Sequence, residues 1–165
     1  MTEDRNPSQK SRENESRAQY LTFHLGEEEY GIEILRVQEI KRYPAVTPIP
    51  NAPAWVKGVM NLRGTVVPVF DLRLKFGMPP KDYDRFTVIV VVNVGARVVG
   101  MIVDGVSDVL DIDAASVDKT PDLGAHVDTT LLQGIARNQD RLITLLDIDR
   151  AVGLEAGRGE LAAAA

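Results

Sequence analysis

The sequence predicts an all-β protein, a barrel or sandwich of about nine or ten short strands. Three observations carry this prediction. Alternating or continuous apolar runs recur at regular spacing, separated by Gly, Asn, Asp and Pro. Valine dominates those runs, and its stiff β-branched side chain suits a pleated surface. Prolines at 44, 48, 50 and 53 exclude a long helix from the stretch where one could otherwise begin, residues 35–41.

Taken in order, residues 1–17 are polar and unperiodic and read as a disordered tail. Residues 20–25 alternate, with Leu21, Phe23 and Leu25 on one face and Thr22 and His24 on the other, as in a half-buried strand. After an acidic turn at 26–29, Tyr30 to Ile34 resumes the alternation as a hairpin partner. Residues 35–41 fit either a helical turn or an extended strand. A short helix is predicted over 53–57, with Pro53 near its first turn and Gly58 at its end.

The stretch 58–71, GVMNLRGTVVPVFD, organises the rest: two apolar strands fold back on each other at Asn61-Leu62-Arg63-Gly64. Pro68 lacks an N–H for a sheet ladder, so its strand is expected at an edge or carrying a bulge. An edge needs managing, and a partner is one way to manage it. Residues 72–76 give one helical turn before Gly77 and Pro79-Pro80 break it.

Residues 86–94 form a continuous Val-rich run, as expected of a strand buried on both faces. Gly95-Ala96-Arg97 turns it and 98–103 returns. Residues 109–113 alternate Leu110 and Ile112 against Asp111 and Asp113. Residues 132–136 and 141–146 make a last hairpin around a turn at 138–140. Asp147 is placed to cap a short helix through Val152, and 153–165 read as a frayed helix or tail.

A chain of 165 residues holds one domain with a substantial core, or two small, intimately packed subdomains. The net charge of −5 argues against a nucleic-acid grip, which needs a clustered basic face. The absence of cysteine removes disulfides, thiol nucleophiles and thiolate metal sites, and suits a reducing cytoplasm. The N-terminal residues are charged and lack the apolar segment of a secretory signal. The most apolar stretch, 88–106, is interrupted by Asn93, Arg97 and Asp104 and makes a poor membrane span. A soluble cytoplasmic protein, with no direct membrane insertion, is expected.

No reaction centre emerges from the motifs. His24 points outward from a strand and His126 lies in a polar loop, neither with a partner that would make it a base or a ligand. The acidic stretch 104–113 lacks the alternating oxygen ligands, the sixth-position Gly and the distal Glu of a calcium loop, and reads as a strand with a wet acidic face. Gly95 to Gly100 has neither the Lys-Ser/Thr nor the helix of a phosphate loop. Asp71, Asp104, Asp108, Asp147 and Asp149 are expected mostly to cap turns and helices. No cofactor, metal or enzymatic activity is expected. A rival reading, a small barrel enzyme or ligand-binding barrel using these aspartates, would show itself in a thermal-shift screen of metals and small molecules. Arg63 reads either as a solvated turn charge or as an oriented ion pair shaping a contact surface.

Several blocks together resemble the CheW-like domain family of bacterial chemotaxis coupling proteins. These are LGEEEYGIEILRVQEI (25–40), PAWVKGVMNLRG (53–64), VVPVFDLR (66–73) and RVVGMIVDGVSDVL (97–110). The resemblance covers about residues 18–152. It implies two intertwined five-stranded SH3-like β-barrel subdomains with a few short helices and a hydrophobic core between them. It also implies a non-catalytic adaptor that couples chemoreceptor signalling tips to the regulatory domain of the chemotaxis histidine kinase. Such a protein is held at the inner face of the membrane through receptor arrays. A CheW-like scaffold of a parallel, non-motility receptor–kinase pathway is the alternative. A receiver domain is not expected after Val152.

Carried onto this chain, the family's protein-binding positions are Ile34, Val37, Glu39, Gly58, Arg63, Val88, Gly100, Val106 and Val109. The resemblance implies that Glu39 and Arg63 pair and hold the Val37 region against the central hairpin. It implies that Val37, Val106 and Val109 line a groove between the barrels for a receptor helix. Gly58 and Gly100 would be places where a side chain blocks close approach. Trp55 departs from the family pattern, which has a small aliphatic residue before Val56.

Overall fold

A computed structural model describes residues 17–44, 46–118 and 132–152. The two predicted tails, apart from Arg17, and the loop carrying His126 lie outside the described residues.

The described chain is built from β1 (Arg17–Leu25), β2 (Glu28–Glu33), β3 (Val37–Arg42), β4 (Val56–Leu62), β5 (Thr65–Asp71), α1 (Leu72–Lys75), β6 (Val88–Val94), β7 (Arg97–Val103), β8 (Gly105–Asp113), β9 (Val117–Asp118), β10 (Leu132–Asn138), β11 (Arg141–Leu146) and α2 (Ile148–Val152). Single 3-10 turns at Ile34–Arg36 and Ala114–Ser116 lead into β3 and β9. One sheet has the order β3-β6-β7-β5-β4, the other β8-β1-β2-β11-β10-β9. Each rolls into a small barrel, as predicted.

Both barrels close the same way. In the central barrel the chain leaving β3 returns to β4, where Thr47 and Val59 exchange two backbone hydrogen bonds of 2.9 Å. In the terminal barrel the chain leaving β8 returns as β9, which pairs with Ile135 and Ala136 of β10.

The likeness extends through the whole topology. The central barrel runs strand, closing bridge, hairpin (β4–β5), helical turn (α1), hairpin (β6–β7). The terminal barrel repeats this as β8, β9, β10–β11 and α2, but its second hairpin, β1–β2, comes from before β3 in the chain. Exchanging β3, β6, β7, β5 and β4 for β8, β1, β2, β11 and β10 turns one sheet order into the other. Each barrel has one parallel pair, β5 with β7 and β11 with β2, and a buried glycine sits at the matching place in each, Gly100 opposite Val69 and Gly31 opposite Leu145. Asp71 accepts a hydrogen bond from the amide three residues on, in α1, and Asp147 does the same in α2. The two barrels are circularly permuted versions of one plan.

The core follows from the period-two alternation of strands. In β6, Val90 and Val92 face a core shared between the barrels, while Ile89 and Val91 face the interior of the central barrel. The shared core takes Leu21, Phe23, Leu25 and Ile32 from the terminal barrel and Phe70, Met101 and Val103 from the central one. Two-sided burial explains why the Val-rich run has no polar face. Val90→Asp is therefore expected to unfold the domain, because it buries an unpaired carboxylate between the barrels. Far-UV circular dichroism checks this, and a cooperative transition near the wild-type temperature would refute it.

Several expectations are corrected. The helix predicted over 53–57 is a single turn, with the Val56 amide donating to the Pro53 carbonyl at 2.9 Å. Pairing of Val56 with Phe70 draws the chain into β4 instead. The strand carrying Pro68 lies inside its sheet, between β4 and β7. Proline is tolerated there because β7 pairs only from Val69 onward, and the bulge sits on β4, between Val56 and Gly58. Thr22 is buried, its hydroxyl donating to the Asp108 carbonyl and carboxylate at 3.0 and 2.5 Å, so β1 is covered on both faces. The ambiguous 35–41 stretch resolves as the end of a 3-10 turn followed by β3. The Val-rich strand starts at Val88, because Asp84 to Thr87 fold into a turn through the Asp84 carboxylate and the Thr87 hydroxyl.

Candidate protein-binding seam

Arg63 and Gly64 adopt consecutive positive φ values of 50° and 87°, giving the two-residue turn whose twist matches a β-hairpin. The Asn61 carboxamide oxygen accepts from the Gly64 amide at 2.7 Å and fixes the tip. From it the Arg63 guanidinium donates to the Glu39 carboxylate at 2.5 Å. Glu39 lies on β3 and Arg63 beyond β4, strands at opposite edges of one sheet, so the ion pair spans the mouth of the rolled barrel. The hydrogen bond from Arg63 holds the Glu39 carboxyl below the usual carboxylate range, and Glu39 raises Arg63 in turn.

A register shift between Val37 and Glu39 decides which face each residue takes. Val37 lies opposite Val92, on the face that meets the other barrel, whereas Glu39 lies opposite Val91, on the barrel's inner side. Ile40 then falls opposite Val90 and rejoins the inter-barrel face. On the terminal barrel, Val106 and Val109 of β8 lie opposite Phe23 and Leu21, again on the inter-barrel face. Ile34, Val37, Val88 and Val106 are half-buried and pack against the shared core, while Ile40 and Val109 remain 43% and 48% exposed. Four of these side chains thus meet the shared core, and Ile40 and Val109 stand open on the edge strands β3 and β8; together they make up the candidate seam.

The remaining candidates lie apart from the seam. At Gly58, with φ of 145°, a Cβ would stand 1.9 Å from the Thr47 carbonyl oxygen, so the close approach it permits is that of the chain's own closing bridge. At Gly100 a Cβ would meet the Ile89 side chain at 2.8 Å inside the barrel. The sequence reading missed Ile40, since the bulge that turns it toward the seam leaves no mark on the alternation.

It also misplaced Asp104. The carboxylate is buried rather than on a wet face, paired with the Arg73 guanidinium at 2.6 Å and accepting from the Gly26 amide at 2.7 Å. Arg73 donates as well to the Pro79 carbonyl at 3.0 Å. One carboxylate thus joins the β1–β2 turn, the β7–β8 junction and α1. Its only signal was an aspartate set between Val103 and Val106. Two further arginines were not singled out. Arg36 grips Asp149 of α2 through both guanidinium nitrogens at 3.0 and 2.8 Å. Arg141 bonds both Glu29 and Asp108. Arg141, and less strongly the Thr22 hydroxyl, lower the Asp108 carboxyl. Among the described residues no group of three or more His, Asp or Glu could hold a metal ion, and no helix is long and apolar enough to cross a membrane.

A family model described as the CheW-like domain matches residues 19–155. The chain belongs to this family. The match takes in both barrels and every seam residue. CheW-like relatives include the chemotaxis protein CheW of Klebsiella aerogenes, 47% identical over 137 residues that make up 83% of this chain and 82% of the relative. The chemotaxis protein CheW of Rhizobium meliloti is 36% identical over 129 residues, 78% of this chain and 83% of the relative. Among solved structures, the crystal structure of the scaffolding protein TtCheW from Thermoanaerobacter tengcongensis is similar, with a TM-score of 0.76 and 31% identity, covering 83% of this chain and 88% of that one. The Trp55 indole of this CheW-like chain packs edge-on against Phe70 at 5.2 Å, with the Lys75 ammonium 3.9 Å from its ring centre.

Proposed function

We propose that this CheW-like protein is a non-catalytic chemotaxis adaptor that couples chemoreceptor signalling tips to the regulatory domain of the chemotaxis histidine kinase. It works in the cytoplasm, at the inner face of the membrane, as a scaffold of receptor–kinase arrays. The observation that carries this reading is the apolar seam: six aliphatic side chains on the inter-barrel faces, open at the β3 and β8 edges, form a contact strip rather than a pocket for chemistry. The chemotaxis names of the relatives and the scaffolding title of the structural neighbour support it.

In this reading Ile34, Val37, Val88, Val106 and Val109 meet a receptor helix, which lays an apolar stripe into the seam. Glu39 and Arg63 hold β3 in place and present a charged rim, while Gly58 and Gly100 keep the barrel tight enough to hold it.

Calorimetric titration of the protein with the kinase regulatory domain and with a chemoreceptor cytoplasmic fragment tests the proposal. Wild type is expected to bind both saturably. Arg63→Glu sets a carboxylate against Glu39 and is expected to weaken assembly several-fold or more with melting almost unchanged, because the pair is solvent-facing. A large fall in melting temperature with intact binding would make Arg63 a structural residue. Failure of folded wild type to bind either partner would favour the parallel-pathway scaffold.

A further inference from the structure

We propose that the two barrels are joined by a hinge and a latch: the buried Asp104–Arg73 contact is the hinge, and the Arg36–Asp149 ion pair is a salt-sensitive latch that sets the angle between them. The inference goes beyond the adaptor reading and does not rest on it. It starts from the two places where the chain passes between the barrels, β2 to β3 and β7 to β8. The permuted plan makes these crossings equivalent. Gly31 on β2 matches Gly100 on β7, so Leu35-Arg36 on the first crossing takes the place of Asp104-Gly105 on the second. The helices match too. Arg73 in α1 and Asp149 in α2 are each the second residue beyond the capping aspartate, Asp71 or Asp147.

Each crossing is bonded to that helix residue and to the carbonyl at one matched strand end. Asp104 pairs with Arg73 at 2.6 Å, and its amide donates to the His24 carbonyl of β1 at 3.1 Å. Arg36 donates to both Asp149 oxygens at 3.0 and 2.8 Å, and to the Asn93 carbonyl of β6 at 3.3 Å. His24 and Asn93 are themselves equivalent, each two residues before the glycine of its hairpin turn, Gly26 or Gly95, which share a φ of 60°. Only the polarity differs: the arginine sits on the helix in one contact and on the crossing in the other.

Burial separates their roles. The side chains of Asp104 and Arg73 are 7% and 13% exposed, those of Asp149 and Arg36 43% and 35%. Salt reaches an open pair, since charges in solvent are screened over about 10 Å at 0.1 M, but acts little on a covered one. Elsewhere the barrels meet through an apolar core, whose attraction has no preferred direction, so the polar contacts carry the orientation. Release of the open contact lets the α2 side part while the covered one holds. A partner that touches both barrels then meets a different angle.

The test is the distance between spin labels on Ala96→Cys in the β6–β7 turn and Asp140→Cys in the β10–β11 turn, both exposed; the chain has no cysteine of its own. It is read on the full chain by double electron–electron resonance, in dilute buffer and in about 1 M salt, where screening shortens to about 3 Å. The labelled protein with both latch residues intact is expected to show one narrow distance in dilute buffer and a second, displaced one in high salt. Arg36→Glu shows the second distance in both. Adding Asp149→Arg, which copies the polarity of the Asp104–Arg73 contact, restores the single distance in dilute buffer, and all variants melt nearly alike because the pair is open to solvent. Absence of the second distance in Arg36→Glu, or in the intact latch at high salt, overturns the latch. A second distance that the double variant retains, or loss of folding in both variants, makes Arg36 a packing residue and overturns it as well.

Discussion

Asp104→Ala is expected to destabilise the protein by about 3–5 kcal/mol, the cost of leaving one member of a buried ion pair without the other. Both partners are well covered, with side-chain exposures of 7% for Asp104 and 13% for Arg73, so solvent screens the pair little. The alanine also strips the Gly26 amide of its acceptor. Asp104→Asn separates the two losses, since it keeps an oxygen for Gly26 and abandons only the charge of Arg73. Urea unfolding followed by tryptophan fluorescence gives both values, Trp55 being the single reporter. Alanine is expected to cost more than asparagine, and both far more than a surface change. A loss under about 1 kcal/mol for alanine would mean that the contact contributes no more than a surface ion pair.

Gly58→Ala has a comparable effect by a different route. A φ of 145° is one that side-chain-bearing residues rarely adopt, and holding a non-glycine there costs about 1–3 kcal/mol. The added methyl would also stand 1.9 Å from the Thr47 carbonyl oxygen, so the closing bridge must move, adding about 1–3 kcal/mol of overpacking. The permuted plan supplies an internal check. Gly134 occupies the same place on β10, with φ of 157° and a Cβ position 2.5 Å from the Asp118 carbonyl oxygen, and Gly134→Ala is expected to fall in the same range. Gly95→Ala is the control, because its φ is also positive but no neighbour lies within 4 Å. Thermal unfolding orders the three, and equal losses for Gly58 and Gly95 would reduce the Gly58 effect to backbone conformation alone.

Local pattern carried most of the fold. Alternation and valine content marked the strands, the Arg63-Gly64 turn marked the central hairpin, and Asp147 marked the last helix. What the pattern could not carry was partnership between strands far apart in sequence. The 53–57 stretch has the proline and glycine of a short helix, but Val56 pairs with Phe70, and that pairing decides its conformation. Pro68 was read as placing its strand at an edge or on a bulge, and only the β5–β7 register shows how an interior strand accommodates it. Thr22 looked like a solvent-facing alternate because its acceptor, Asp108, is 86 residues away.

The same holds for the seam. Val88, Val106 and Val109 entered through a family resemblance, since nothing in their own spacing sets them apart from core valines. Bulges were the main source of concealment: one extra residue sends the following side chains to the opposite face, and a sequence period cannot register it.

The permuted plan bears finally on how the molecule comes into being. All strands of the central barrel, β3 to β7, are contiguous, so that half has its full set as soon as residue 103 has been synthesised. The β1–β2 hairpin is made first and yet waits longest, because its neighbours β8 and β11 are translated last. An isolated hairpin is marginal in water, and its apolar face, Leu21, Phe23 and Leu25, has the new central barrel as the nearest shelter. The faces of β6 and β7 that build the shared core therefore precede, in chain order, the strands that become that hairpin's own sheet neighbours.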